Sequence, residues 1–151
     1  MAIAKKRASS LAAESVLTGR SSRDPITIPR LVPRGKSAFD TVGWRLHDAL
    51  IKAADGKVIF ELKGIRAPST WSETSINIAA SKYFRIIDGQ RETSIEGMIR
   101  RVTHWIGQKG LELGYFDTAE ETGQFEESLS YLMVQQMAAF NSPVWFNVGV
   151  R

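Results

Sequence analysis

The sequence predicts an α+β fold, mainly helical, in which a β-hairpin precedes about three amphipathic helices and a final buried strand. Three observations predict it. Apolar and polar residues alternate on both sides of an Asp55-Gly56 turn, apolar residues then recur at helical spacing, and the last residues are apolar and β-prone. With 151 residues, of which 43% are hydrophobic, the chain has room for one domain with a real core.

The hairpin is predicted over residues 42–63, with one face buried. Its alternating apolar positions are Val42, Trp44 and Leu46 before the turn and Val58, Phe60 and Leu62 after it. The alternation slips between Leu46 and Ile51, which indicates a β-bulge or an early strand end. Pro68 is expected to close this unit.

Helices are predicted at about residues 72–85, 94–108 and 118–140. Ser72 is suited to cap the first helix, and the stretch from Thr93 to Glu96 has the pattern of a capping box at the second. Each helix carries apolar residues along one face, so the three are expected to pack together around the core.

The predicted final strand, residues 144–148, follows Asn141-Ser142-Pro143, because proline disfavours helix at the residue before it. Its sequence, Val-Trp-Phe-Asn-Val, is typical of a strand that is buried on both faces. No partner strand is predicted within the chain. An unpaired apolar strand promotes aggregation, so we expect it to pair with residues outside this sequence.

The basic charge is concentrated in residues 1–36, which hold eight Lys and Arg against two acidic residues, although the whole chain carries only +4. Proline at three positions in this arm favours an extended chain, and the arm is predicted to be disordered. Such an arm could attract nucleic acid. A solvated tail explains it better, so nucleic acid is not the expected partner.

Composition excludes several kinds of chemistry. The chain has no cysteine, which removes disulfides, thiolate metal sites and thiol nucleophiles. Its two histidines, His47 and His104, are too few for a protein zinc site, and a packed or surface position suits each better than a catalytic one. No catalytic residue and no metal site is predicted in this chain. No apolar run is long enough to cross a bilayer, so no membrane contact is expected.

Ser142 is the one candidate ligand residue. It lies between a predicted helix end and a predicted strand, so a rigid turn would hold its hydroxyl at the strand entrance. A hydroxyl in that place can donate to a phosphate oxygen beside exposed backbone N–H groups. On sequence alone, an Asn-Ser-Pro turn is structural more often than it is a ligand site.

Several segments resemble those of adenosylcobalamin-dependent (class II) ribonucleotide reductases, in the same order and spacing. They are Trp71 to Phe84 (Trp-Ser-Glu-Thr-Ser-Ile-Asn-Ile-Ala-Ala-Ser-Lys-Tyr-Phe), Gly114-Tyr115-Phe116, Gln136 to Phe140, and Ala138 to Gly149 (Ala-Ala-Phe-Asn-Ser-Pro-Val-Trp-Phe-Asn-Val-Gly). The last run is the most specific of these. The resemblance covers about residues 39–151 and does not include the basic arm.

The resemblance implies a fold and a division of the chain. The family has a mainly helical N-terminal region before a ten-stranded α/β barrel. Residues 37–140 would then be that N-terminal region, residues 141–151 would be the stub of the barrel with its first strand, and residues 1–36 would be a separate arm.

The resemblance also implies a function. The family reduces ribonucleoside diphosphates to deoxyribonucleotides for DNA synthesis, with adenosylcobalamin as the radical source and cysteines as radical carrier and reductant. The family's substrate-phosphate hydroxyl falls on Ser142, with Asn141 and Pro143 shaping the turn. No residue here matches the family's cysteines or cobalamin contacts, so the chain alone is predicted to be inactive and to bind no cofactor.

The leading hypothesis is therefore the N-terminal segment of a cytoplasmic class II reductase, whose partner is the catalytic barrel, encoded by the same gene or as the other half of a split enzyme. Two alternatives remain open. One is a standalone helical module that binds a protein partner through its apolar surfaces. The other is a nucleic-acid binder that uses the basic arm.

Overall fold

The hairpin is followed by helices, as the sequence predicts. The computed structural model describes residues 28–150. In chain order the elements are a 3₁₀-helix (Ala38–Thr41), β1 (Trp44–Lys52), β2 (Val58–Pro68), α1 (Glu73–Ile78), a π-helix (Ala79–Tyr83), β3 (Ile86–Ile87), β4 (Gln90–Arg91), α2 (Ile95–Glu112), α3 (Ala119–Val134) and α4 (Ser142–Asn147). The strands form two separate antiparallel sheets, β1 with β2 and β3 with β4.

The β1–β2 hairpin continues past the predicted limit at residue 63 and ends at Pro68, the residue expected to close this unit. Its register shifts between His47 and Ala49, within the interval where the sequence pattern slips. The predicted burial is wrong at Leu46, which is 72% exposed, and at Val58, which is also exposed. The face that packs on the core is instead near the hairpin base, where Ile65 is buried, because the outer half of the hairpin extends away from the helices.

The first helix starts at the predicted cap. The Ser72 hydroxyl accepts a hydrogen bond from the backbone N–H of Ser75, at 3.1 Å. After Ile78 the helix widens into the π-helix, in which the N–H of Phe84 donates to the carbonyl of Ala79 at 3.1 Å. This one widened turn sets the direction in which Tyr83 leaves the helix, and π-helical turns of this kind are frequent at functional sites.

Helices α2 and α3 pack against each other, and both contribute to the core. Ser94 caps α2 through the N–H of Gly97, and Thr118 forms a reciprocal capping box with Glu121 at the start of α3. The core residues are Val32, Ala38, Phe39, Ala49, Ile65, Ala67, Ile76, Ala79, Ala80, Phe84, Ile95, Met98, Ile99, Val102, Met133, Val134 and Trp145. Among residues 28–150, none of the helices is both long and apolar enough to span a membrane.

The third helix ends earlier than predicted. It was expected to reach residue 140, but α3 stops at Val134. Gln136 has a backbone φ of 57°, a left-handed conformation that ends a helix. The seven residues between Val134 and Ser142 form an irregular connection, which lets the chain turn back toward α2 before α4 begins.

The predicted strand at residues 144–148 is wrong, because the structure has the helix α4 over Ser142–Asn147. No strand of residues 28–150 pairs with this segment. Helix formation instead satisfies backbone groups locally, for example between the N–H of Val148 and the carbonyl of Val144 at 3.0 Å. The helix also buries Trp145 in the core, and this packing outweighs the β-propensity of the sequence.

The prediction of a disordered arm over residues 1–36 is also wrong for residues 28–36. Residues 28–36, here called the strap, lie along α3, and Val32 is 3% exposed within the core. The Ser128 hydroxyl donates to the Pro29 carbonyl at 3.0 Å and accepts from the Leu31 N–H at 3.5 Å. Residues 1–27, which carry the rest of the predicted arm, lie outside the described residues.

Candidate functional site

Ser142 is the first residue of α4, and its side chain is half-buried. Asn141 precedes it in an extended conformation and accepts a hydrogen bond at its carbonyl from the N–H of Val144, at 3.1 Å. Pro143 fits the first turn because the N–H groups there have no partner within a helix. The three residues predicted for the site therefore share one turn, at a helix start rather than at a strand entrance.

The Ser142 hydroxyl has a defined neighbour. Its Oγ lies 3.1 Å from the Oη of Tyr83, which is the last residue of the π-helix. The Tyr83 ring packs against Phe146, with centroids 5.6 Å apart, and against Trp145 at 6.1 Å. The partner of the serine is a phenol and not a general base, so this geometry suits hydrogen bonding better than nucleophilic catalysis.

Trp145 anchors the turn to the core. Its indole N–H donates to the Phe140 carbonyl at 2.9 Å, and the two rings meet edge to face at 5.7 Å. An apolar cavity of about 350 Å³ lies beside it, lined in part by Trp71, Tyr83 and Met98. Aromatic packing therefore limits how far the turn that carries Ser142 can move.

An ion pair lies beneath the turn. The Arg101 side chain on α2 is 4% exposed, and its Nε is 2.9 Å from the Glu92 Oε1. Arg101 also donates to the carbonyls of Tyr83, Trp145 and Val148. The second oxygen of Glu92 accepts from the backbone N–H of Arg85 at 2.8 Å. Both charged groups are thus buried with several partners, as burial of charge requires.

A second carboxylate, Glu96, lies in the first turn of α2. It pairs with Arg66 from β2 and with Arg100 one helical turn later, the latter at 2.9 Å. Burial raises the pKa of the Glu96 carboxyl, but hydrogen bonds and charge from Arg100 and Arg66 outweigh burial and hold that pKa below its ordinary value. This cluster joins the hairpin to α2 and lies outside the Ser142 turn.

The histidines do not join the site. The His47 Nε2 is 2.9 Å from the Asn77 Oδ1, and the exposed His104 has its Nδ1 3.1 Å from the Glu126 Oε2. Within residues 28–150 there is no group of three or more His, Asp or Glu side chains placed to hold a metal ion.

The basic residues of the strap that lie within the described range are partly neutralised. Arg30 and Arg34 lie 3.8 Å and 3.4 Å from the same carboxylate oxygen of Glu120. Arg30 also donates to Gln124 at 2.6 Å. These contacts place both guanidinium groups beside the first turn of α3.

The sequence of this chain is similar to those of known reductases over most of its length. The sequence model described as class II vitamin B12-dependent ribonucleotide reductase matches residues 45–90. A vitamin B12-dependent ribonucleotide reductase of Rhodopirellula baltica is 42% identical over 121 residues, and that of Streptomyces clavuligerus is 40% identical over 118 residues. The chain corresponds to the N-terminal region of a class II ribonucleotide reductase.

These relatives are much longer than this chain. The matches cover 78% and 76% of this chain and 12% of each relative. A more distant relative, the vitamin B12-dependent ribonucleotide reductase of Bradyrhizobium diazoefficiens, is 28% identical over 156 residues and is also covered to 12%. The chain therefore spans about an eighth of the length of the curated class II reductases it matches.

Sequence reasoning missed three residues around Ser142, namely Tyr83, Glu92 and Arg101. Tyr83 lies within the predicted first helix, and nothing in the spacing there indicates a partner for its hydroxyl. Arg101 had a usable signal, since it lies three residues after Met98 and directly before Val102, both of which are buried. A charge inside the apolar stripe of a helix predicts a buried partner, although the pattern does not say which carboxylate it is.

Proposed function

We propose that the chain serves as the N-terminal segment of a cobalamin-dependent ribonucleoside-diphosphate reductase, in which the Ser142 hydroxyl binds a phosphate oxygen of the substrate. The family match supports the first part of the proposal. The second part is supported by the half-buried Ser142 hydroxyl beside the Tyr83 hydroxyl at 3.1 Å.

The hydroxyl pair suggests how the binding would work. A serine hydroxyl has one proton to donate and two lone pairs to accept with. If the Tyr83 O–H donates to the Ser142 Oγ, the serine proton is left to donate to a phosphate oxygen. Hydrogen bonds in such a chain polarise one another and strengthen the last one. The role of Ser142 is thus to hold the substrate and not to react with it.

The redox step would be carried by another part of the enzyme. This chain has no cysteine, so it supplies neither a thiyl radical nor a reducing dithiol. Those groups would come from the catalytic barrel, in the same polypeptide or in a partner polypeptide, and the chain by itself would be inactive. We place the assembled enzyme in the cytoplasm, as a source of deoxyribonucleotides for DNA synthesis.

Two cavities in the described part of this chain are each too small to enclose cobalamin. Cavities beside the strap and beside Trp145 measure about 380 Å³ and 350 Å³. These are smaller than a corrin ring with its axial groups. We therefore assign no residue to the cofactor, which supplies the radical when it is bound to the complete enzyme.

The decisive experiment combines this chain with the catalytic barrel of a class II reductase and measures deoxyribonucleotide formation. Ser142→Ala should raise the KM for a ribonucleoside diphosphate by about 10- to 150-fold, because a hydrogen bond to a charged group contributes about 1.5–3 kcal/mol. Ser142→Thr, which keeps the hydroxyl, should restore much of the loss.

Ser81→Ala is the matched control, since that hydroxyl reaches only the Ile78 carbonyl, at 3.4 Å. An unchanged KM in Ser142→Ala would contradict the phosphate role. Failure of the two polypeptides to associate or to produce any deoxyribonucleotide would contradict the split-enzyme form of the proposal.

One observation favours a protein-interaction role. Leu46, Leu50 and Ile59 are exposed on the hairpin, and exposed apolar groups of this kind are found at protein interfaces. A chain that is monodisperse, melts cooperatively and does not bind the barrel would support a standalone module. Loss of barrel binding in Leu46→Ser would instead identify the hairpin as part of the reductase interface.

A further inference from the structure

We infer that Arg101 is a positioning residue, which holds the Ser142 segment (residues 141–149) in the orientation that presents the Ser142 hydroxyl. Its effect on the reaction rests on the phosphate role proposed for Ser142. Its effect on the geometry does not, because it follows from the contacts of Arg101 alone.

The guanidinium group of Arg101 uses all three nitrogens. Its Nε donates to Glu92 at 2.9 Å. One terminal nitrogen donates to the Val148 carbonyl at 2.5 Å, and the other to the carbonyls of Tyr83 and Trp145, both at 3.2 Å. The bonds to Trp145 and Val148 fix the middle and the end of the Ser142 segment to α2.

The carbonyls of Tyr83 and Trp145, which accept from the same Arg101 nitrogen, matter most for the position of the Ser142 hydroxyl. Tyr83 and Ser142 form the hydroxyl pair, and α4 carries Ser142 three residues before Trp145. The same Arg101 nitrogen holds the backbone of Tyr83 and that of Trp145. One group therefore sets the spacing between the two sides of the hydroxyl pair.

Glu92 holds the guanidinium group itself in place. Its side chain is 9% exposed and accepts from Arg101 and from the backbone N–H of Arg85. A planar guanidinium with five fixed N–H donors suits this arrangement, whereas a lysine ammonium has one nitrogen and cannot reach all four partners at once.

The chain also passes close to α2 at Gly149. That residue has a φ of 70°, and a Cβ on it would lie 2.6 Å from both the carbonyl oxygen and the Cγ of Arg101. The end of the Ser142 segment thus rests against the Arg101 backbone while the Arg101 side chain holds its carbonyls. No side chain other than hydrogen fits between them.

The indole N–H groups of the tryptophans give a direct test in the 151-residue chain. Trp145 donates to Phe140 at 2.9 Å and reports on the segment, while Trp44 and Trp71 donate to other carbonyls at 3.0 Å and 2.8 Å and report on the rest of the fold. Their solvent exchange is measured by NMR in ¹⁵N-labelled protein.

Arg101→Lys should speed exchange at the Trp145 indole by about tenfold or more, because it removes roughly one hydrogen bond from the segment. The indole groups of Trp44 and Trp71 should keep their exchange rates. Arg100→Lys is the matched control. Arg100 directly precedes Arg101 on α2, and its partly exposed side chain contacts Glu96, Glu127, Ser37 and the Phe39 ring, all outside the Ser142 segment. Equal Trp145 rates in the two variants would overturn the inference.

If Arg101→Lys fails to fold, Glu92→Gln provides the same test, because it keeps the shape but weakens the hold on the guanidinium group. Its Trp145 indole should exchange faster than that of the wild type, and an unchanged rate would overturn the inference. Ser142→Ala should leave that indole protected, since no contact of Arg101 involves the serine hydroxyl.

A kinetic measurement separates positioning from general damage. In the assembled reductase, Arg101→Lys should raise the KM for the diphosphate by about tenfold with kcat within about twofold, because binding and not the radical step is disturbed. A fall in kcat with an unchanged KM would overturn the role in substrate binding. An effect of Arg101→Lys without one of Ser142→Ala would refute the phosphate role of Ser142 and leave the positioning of α4 intact.

Discussion

The two ends of the described chain are both fastened to a long helix, but in different environments. The strap at residues 28–36 lies along α3 and is held by Ser128, by Gln124 and by ion pairs at the surface. The Ser142 segment lies against α2 and is held by Arg101. In each case a helix side chain binds backbone carbonyls of an irregular segment.

Burial distinguishes the two attachments. The Arg34 side chain is 79% exposed, whereas that of Arg101 is 4% exposed. Water competes for an exposed ion pair, so such pairs contribute little to stability. A buried charge that loses its partner is left uncompensated and is costly. The polar attachment of the Ser142 segment should therefore depend on Arg101, beside the packing of Trp145, and that of the strap on the apolar contact of Val32.

Arg101→Met should have the largest effect on stability. It leaves the carboxylate of Glu92 buried without its charged partner, and it should lower the free energy of unfolding by about 3–5 kcal/mol. Urea unfolding measures this value. Arg100→Met, at an exposed neighbouring site, should cost under about 1 kcal/mol. Equal costs for the two would mean that burial does not distinguish these charges.

Val32→Ala should come next. Removing two buried carbon atoms from a side chain that is 3% exposed should lower the free energy of unfolding by about 2 kcal/mol. Val58→Ala is the control, since Val58 is exposed on the hairpin. If Val32→Ala costs no more than the control, the strap does not belong to the core in solution.

Ser128→Ala should have a smaller and more local effect. It removes the hydroxyl that binds Pro29 and Leu31, at a cost of about 1 kcal/mol. Trypsin should then cleave faster after Arg30, in the strap, while cleavage after Arg91, between β4 and α2, keeps its rate. Equal acceleration at both sites would indicate global loosening in place of local release.

The Glu96 carboxyl lies between the two cases in burial, since its side chain is 24% exposed, and its contribution to stability should depend on pH. Its pKa in the folded protein lies below the ordinary value of 4.5, so its stabilising contribution is complete above about pH 4.5 and is lost as the pH falls through the folded pKa. Acid titration should therefore show a small loss of stability below pH 4.5, and Glu96→Gln should remove that part of the pH dependence. A pH dependence identical to that of the wild type would contradict this assignment.

Local signals predicted the elements whose stability is local. Ser72 caps a helix as its sequence position indicates, and the slip in alternation after Leu46 corresponds to the register shift after His47. The end of α3 was misplaced because apolar spacing continues to Phe140, whereas Gln136 takes a left-handed conformation that nothing in the pattern required.

The site itself was only partly predictable. Ser142 was indicated by its place between a predicted helix end and a predicted strand, and the resemblance added the phosphate role. The turn is present, but the strand expected after it is not. That expectation came from side-chain propensity at residues 144–148, which carries no information about whether a neighbouring strand is available. The link between Glu92 and Arg101 also escaped prediction, because it depends on how β4 and α2 are placed relative to α4.

Gly149 shows what this arrangement means for mutational tolerance. Its φ of 70° disfavours every residue with a side chain, and a Cβ would also meet the Arg101 backbone. A substitution library at this codon should therefore return only glycine when selected for the folded chain. Codon 114 should accept Asn as well, since Gly114 has a similar φ of 73° but open space around it. Gly149 and Gly114 have similar backbone φ values, but selection would thus permit different sets of residues at the two positions.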